Sequence, residues 1–250
     1  MRALIIPVLS LCALLAFWAG LAALKGDADV LPAPNEVLAV LIEEARSDRL
    51  WRHLWATLAR VSVAFVLAMG LGTALGIALG RVAWLDRITG PWVVVFLNMP
   101  ALVVIVLCYL WIGLNEVAAI TAVTLNKTAM VLVTMREGVR AREADFDDLA
   151  RVYRLSLWAR LRHVTLPQLA PFALSAARTG IAVIWKIVLV VEFLGRSSGV
   201  GFAIHLHFQL FQTAHVMAYA LSFVAVMLAV ERLVFVPWER HALRWRRVAG

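Results

Sequence analysis

Lys127, Lys186 and Glu192 are ionisable side chains that stand well inside otherwise apolar runs of sequence. A charge at lipid depth is costly, so its presence points to a solute path or to an internal partner. Two roles are therefore open for the lysines. Glu192 or Glu116 can neutralise them inside a helix bundle, or one or both can face a pore and lower its barrier to an anion. Arg60 and Arg178 fall near the ends of apolar runs, where a long side chain reaches the membrane surface, and they read as interfacial. His205, His207 and His215 could be drawn around a metal, but a His-x-His pair alone is a weak signature, and no metal is expected.

Other chemistries are missing from the chain. It has no G-x-x-x-x-G-K-[ST], so it cannot hold ATP by a P-loop. It lacks H-E-x-x-H and G-x-S-x-G, the commonest motifs of membrane hydrolases. Cys12 and Cys108 both lie in apolar runs and read neither as a disulfide nor as metal ligands. The expectation is a protein that binds no cofactor and is not an enzyme. A net charge of +8 could suit nucleic acid, but only from a basic face on a soluble fold. Here the bases gather at the ends of apolar segments.

Those segments make up most of the molecule. Of 250 residues, 63% are hydrophobic, and the mean hydropathy is +0.85, far above a soluble domain. The chain reads as an all-α integral membrane protein, one domain over 1–250 with six spans. These are expected at about 3–24, 58–80, 91–113, 117–135, 172–194 and 216–237, each near the length that crosses a bilayer. The first could be a cleaved signal, but its apolar core exceeds a signal's usual h-region, which favours a retained span. Between spans one and two, Pro32 and Pro34 break the chain. Asn35 can then cap an interfacial helix over about 36–50, with Val37, Leu38, Leu41 and Ile42 as its apolar stripe.

Span two carries Ala64, Ala68, Gly72, Gly76 and Gly80 at every fourth position. Small residues so spaced give one smooth face against which another helix can lie closely. Asn98-Met99-Pro100 predicts a kink within span three, because proline frees backbone groups of the preceding turn. Six spans put both termini on one side. Seven arginines lie between Arg136 and Pro171 and four more in the tail. The opposite side has Lys25, Arg46, Arg49, Arg52 and Arg196, partly offset by six acidic residues before span two. The positive-inside rule then puts both termini in the cytoplasm.

One charged block, Glu143 to Pro171, interrupts the apolar pattern. Phe146, Leu149, Ala150 and Tyr153 share one helical face. Asp145, Asp147 and Asp148 at its start and Arg151 and Arg154 at its end suit the helix dipole. Ser156 can cap a second short helix with Leu157, Leu161 and Val164 on its apolar face. Leu166-Pro167 is expected to stop it. Two short helices outside the bilayer, each with an apolar stripe, suit docking to another protein.

This block resembles the cytoplasmic EAA loop of ABC importer permeases. Asp148-Leu149-Ala150 stands at the E-A-A, Val164 at the β-branched position, and Leu166-Pro167 at the L-P. Most of the chain after Leu31 is similar to the sulfonate/nitrate/taurine permeases. Leu31-Pro32-Ala33-Pro34 resembles LPSP, Thr57-Leu58-Ala59-Arg60 the S/T-L-x-R entry to span two, and Trp111-Ile112-Gly113 the W-F-G after span three. Trp185, Val191-Glu192 and Ser197-Ser198-Gly199-Val200-Gly201-Phe202 match the run around span five, and Glu239 with Leu243-Arg244-Trp245 matches the tail. The chain departs from the pattern at Asp148, in place of glutamate, and at Arg154, in place of glycine. Glycine takes positive φ cheaply and arginine does not, so either the turn is built differently, shifted toward Leu155-Ser156, or the ATPase groove accommodates the larger side chain.

The resemblance implies a type I ABC importer permease with a cytoplasmic coupling helix, in a bacterial inner membrane. It implies a second permease copy, two cytoplasmic ATP-binding subunits that use ATP and Mg, and a periplasmic or lipid-anchored solute-binding protein. The solutes it implies are small, such as nitrate, sulfonates and taurine. It makes Phe146, Asp148, Leu149, Ala150, Tyr153, Arg154, Leu166 and Pro167 the coupling residues. The rival reading is a secondary carrier or channel working without an ATPase.

Overall fold

The computed structural model of the chain describes residues 2–141, 152–235 and 237, and every element among them is helical. In order these are α1 (Arg2–Lys25), α2 (Pro34–Arg46), α3 (Arg49–Arg81), α4 (Ala83–Asn98), α5 (Ala101–Ile112) and α6 (Glu116–Arg140). From Leu157 onward come α7 (Leu157–Arg160), α8 (Leu166–Gly195), α9 (Val200–Gln209) and α10 (Thr213–Val230). Five helical stretches are long and apolar enough to cross a membrane, and the pair α4–α5 makes six if it counts as one span. The chain divides into two compact units, one of Met1–Leu58 with Glu192–Met227, the other of Ala59–Val191 with Leu228–Gly250.

In the second unit the small-residue face of α3 lies directly on α6. A Cβ on Gly72 would stand 2.5 Å from Val131 Cβ, and one on Gly76 or Gly80 would be 2.6 Å from atoms of Met135 or Val139. No real side chain tolerates such distances, so these glycines set the spacing of the two helices. Ala64 and Ala68 continue the face and are fully buried. Gly138 meets the ring of Phe172, and Val131, Met135 and Val139 close a core with Leu169 and Ala176, against which Met69 and Ile77 of α3 also pack. Dispersion contacts along such dry seams are the main source of helix association in lipid.

The break at Asn98-Met99-Pro100 is larger than a kink: α4 and α5 meet at 99°. Pro100 cannot donate to the turn before it, and the chain restarts a helix instead. The gap expected between spans two and three, residues 81–90, contracts to Val82, and α4 runs through Pro91. Apolar periodicity alone places that helix start at the proline. Asn115 caps α6 by accepting from Ala118 N at 2.9 Å.

In the first unit, α2 begins at Pro34 rather than at an Asn35 cap. The Glu36 carboxylate accepts from Ala33 N at 2.8 Å, and α2 ends at Arg46, before a turn in which Asp48 has φ 59°. Its inward face is not the expected four-residue stripe. Val37 and Glu44 are the buried pair, one turn-pair apart, while Leu38 and Ile42 are exposed. Glu44 accepts from the Tyr219 hydroxyl at 2.6 Å and pairs with Arg49 at 2.7 Å. An acidic residue inside an amphipathic pattern reads as surface, which is why only the tertiary partner reveals it. α1 is tethered through Trp18 Nε1, which donates to Pro32 O at 3.1 Å.

Candidate functional site

The expected coupling face falls partly outside the described residues: Phe146, Asp148, Leu149 and Ala150 lie there. Further along the segment, Val152, Tyr153 and Trp158 are exposed apolar or aromatic side chains, with Tyr153 73% exposed. Arg154 itself takes the left-handed conformation, φ 46°. The turn is therefore not shifted toward Leu155-Ser156; arginine adopts the backbone that glycine would adopt more easily. The penalty is about 1–2 kcal/mol for a side chain with a Cβ. Ser156 caps the next turn as its spacing predicts, its Oγ accepting from Ala159 N at 3.2 Å.

Leu166-Pro167 does not stop this helix. From Leu157 the chain stays helical through a π-helical turn, Leu161–Thr165, and continues into α8 as far as Gly195. In a regular turn the proline ring clashes with the carbonyl four residues back, and the wider i→i+5 turn just before Pro167 gives that carbonyl room. Leu166 and Pro167 are exposed at the start of α8. The expected loop and the fifth span are thus one continuous rod, Trp158–Gly195, from docking segment to lipid depth.

A second constellation joins motif pieces that lie far apart in sequence. Glu192, fully buried, accepts from Thr57 Oγ1 and from Gly201 N, each at 2.9 Å. Thr57 Oγ1 in turn accepts from Val200 N at 2.8 Å, and His53 Nδ1 accepts from Gly199 N at 3.1 Å. These are the first amides of α9, and side chains from elsewhere in the chain satisfy all three. The carboxylate also suits the positive end of the helix dipole. Gly199, at φ 110°, is the N-cap, and a Cβ there would overlap the Glu192 carboxyl. Thr57, Glu192 and Gly199–Gly201 thus form one buried site, whose Glu192 fixes α9.

The remaining charges sort differently. Glu116 takes Arg60 as its partner, Nε–Oε2 at 2.9 Å and Nη2–Oε1 at 2.6 Å. Arg60 is not interfacial but buried, 6% exposed; its stem folds inward because a bidentate carboxylate awaits it. Position along an apolar run could not show that. Arg178 stays half exposed, 3.8 Å from Glu231. Lys127 is buried beside Gly180, whose hydrogen leaves room for the lysine stem, and Nζ donates to Met130 Sδ. Thr124, one turn earlier on α6, is buried with its hydroxyl unpaired. Lys186 is exposed on α8. His207 and His215 stack at 4.4 Å, and His205 packs edge-on against Phe193. Among the described residues no group of three or more His, Cys, Asp or Glu is placed to hold a metal.

Long apolar helices and a sharply broken pair mark an α-helical protein of the membrane. The chain belongs to the binding-protein-dependent transport system inner membrane components, whose family model matches residues 68–236. It is 30% identical, over 98% of its length and 88% of the relative's, to the putative aliphatic sulfonates transport permease protein SsuC of Bacillus subtilis. It is 26% identical to the taurine transport system permease protein TauC of Escherichia coli, over 98% of this chain and 90% of that one. The nitrate import permease protein NrtB of Synechocystis is 25% identical over 79% and 74%. Among solved structures, an amino acid ABC transporter superposes with a TM-score of 0.64, covering 80% of this chain and 98% of that one at 18% identity. The MetNI methionine ABC transporter, inward facing, gives 0.60, covering 74% and 94% at 18% identity.

The fold is accordingly that of a type I ABC importer permease. The chain is a transmembrane permease component, not an enzyme, and its family works with ATP-binding subunits and a solute-binding protein in the inner membrane.

Proposed function

We propose that the chain forms one half of a homodimeric permease that imports a small anion of the sulfonate, taurine or nitrate class. Similarity over 98% of the chain to a permease named for aliphatic sulfonates carries this reading. Both termini and the segment 136–171 lie in the cytoplasm, which the distribution of arginines favours. There the face of Phe146, Leu149, Ala150 and Tyr153, followed by the Arg154 turn, docks an ATP-binding subunit. ATP and Mg are used by that subunit, and this chain binds no cofactor. Closure of the ATPase pair moves the docking turn, and the rigid continuation into α8 conveys the displacement to lipid depth. Lys127 and Lys186 supply positive potential along the route, while Glu192 holds α9 in place.

The test is reconstitution in liposomes with the ATP-binding subunit and the solute-binding protein. Uptake of a radiolabelled aliphatic sulfonate should require ATP and stop when the ATPase is catalytically dead. Leu149→Arg should leave the permease in the membrane but abolish co-purification of the ATPase. Uptake that follows an ion gradient and ignores the ATPase would sink the proposal.

A further inference from the structure

In the second unit, α3, α4 and α6 leave an open groove of about 250 Å³, lined by apolar side chains and two threonines. Its floor is Leu79, Val93, Ala129 and Leu132, all buried, and its rim includes the exposed Trp92 and Phe96. Its apolar lining suits an alkyl chain and offers little to a polar solute.

One end of this groove is charged. Arg136 lies one helical turn beyond Leu132 on α6, with Arg140 one turn further, and Asp86 lies one turn before Thr89 and two before Val93 on α4. Arg136 Nη1 reaches Asp86 Oδ1 at 2.9 Å, and Arg140 pairs with the other carboxylate oxygen. Two guanidinium groups thus share one carboxylate, which leaves a net charge of about +1 at the groove's mouth. Arg136 Nε is buried with no hydrogen-bond partner, a donor that a further acceptor would satisfy. Arg140 remains half exposed, so it can turn toward such an acceptor.

We propose that this groove is a binding site for an anionic phospholipid. One acyl chain lies along Leu79, Val93, Ala129 and Leu132, and the phosphate meets Arg136 and Arg140. The apolar trough alone would take any lipid; the uncompensated guanidinium charge selects the anionic one. Arginine forks match phosphate oxygens in geometry as well as charge. A basic pocket between membrane helices at the level of the headgroups is the expected form of such recognition. The guanidinium excess at this end favours an anionic lipid over the competing occupant, an apolar helix of a second copy.

The full-length permease, purified in mild detergent and mixed with equal phosphatidylglycerol and phosphatidylethanolamine, would be examined by native mass spectrometry. Phosphatidylglycerol should be retained at least about fivefold over phosphatidylethanolamine, a bias of about 1 kcal/mol by the usual conversion. Arg140→Gln should remove the bias, and Asp86→Asn, which raises the local charge, should increase it. Ala129→Phe, which fills the floor, should lower retention of both lipids while the oligomer mass stays unchanged. Equal retention of the two lipids by the unaltered chain would overturn the proposal. So would loss of the dimer mass in Ala129→Phe without a change in bound lipid, because the groove would then hold a second copy. Displacement of the bias by millimolar inorganic phosphate with no effect from Ala129→Phe would likewise overturn it, by showing a headgroup contact without an acyl site.

Discussion

Arg60 and Glu116 form a two-point ion pair, 2.9 and 2.6 Å, that ties α3 to the first turn of α6. The pair lies at the end of the helix seam that Gly72, Gly76 and Gly80 hold open further along. Because Arg60 is 6% exposed, its charge depends on that carboxylate more than a surface arginine would.

Glu116→Gln should therefore destabilise the detergent-solubilised permease by about 2–3 kcal/mol, the range for losing a charged hydrogen bond and leaving an ion short of its partner. Arg60→Lys should recover only part of this, since an ammonium cannot make the two-point fork. Thermal melting followed by circular dichroism would read both. A loss no larger than that of Arg178→Gln, a half-exposed arginine, would contradict the assignment.

Arg154 is strained by φ 46°. Arg154→Gly should raise the melting temperature, corresponding to a gain of up to about 1–2 kcal/mol from relieved strain, reduced by the greater freedom of glycine in the unfolded chain. Coupled ATPase activity of the assembled transporter should persist, because the backbone of the turn is preserved. Loss of coupling with intact folding would mean that the arginine side chain itself takes part in docking.

Glu44 supplies a pH dependence. Burial alone would raise its carboxyl, but hydrogen bonds from Tyr219 and Arg49, together with the Arg49 charge, outweigh that and hold it below the ordinary carboxylate range. A lowered folded value means stability that is fully present above the ordinary carboxylate pKa, about 4.3, and lost as pH falls through the folded value. Melting temperature measured from about pH 7 down to about pH 3 should fall in that acid window, and Glu44→Gln should flatten the fall. An identical acid profile in wild type and variant would remove Glu44 from the account.

Lys127 and Lys186 separate the pathway role from a packing role. Lys186→Met should depress anion uptake while leaving expression unchanged, because its side chain is exposed and fills no core. Lys127→Met keeps the buried volume beside Gly180 and should depress uptake without lowering the melting temperature. Unchanged uptake in both would take the lysines out of the route.

Much of this molecule is legible without coordinates. The lengths of the apolar runs, the small-residue face of α3 and the cap at Ser156 depend on spacing along one helix, which sequence states directly. The coupling block shows itself by charge in an apolar context. The expectations that the structure overturns share a cause. Pro167 reads as a stop because a regular helix cannot absorb it, yet a π-turn can. Arg60 reads as interfacial because its partner Glu116 is 56 residues away, and the Glu44–Tyr219 contact, across 175 residues, leaves no trace along the chain.

Sequence by itself determined that this chain is helical, lies in a membrane and carries a charged segment between apolar runs. Periodicity, hydropathy and charge are local properties, and the bilayer enforces them residue by residue. Tertiary structure alone decided what the buried charges do. It set Glu192 on the amides of α9, gave Arg60 to Glu116, and left Lys127 beside a glycine, because a charge finds its partner through space and not along the chain.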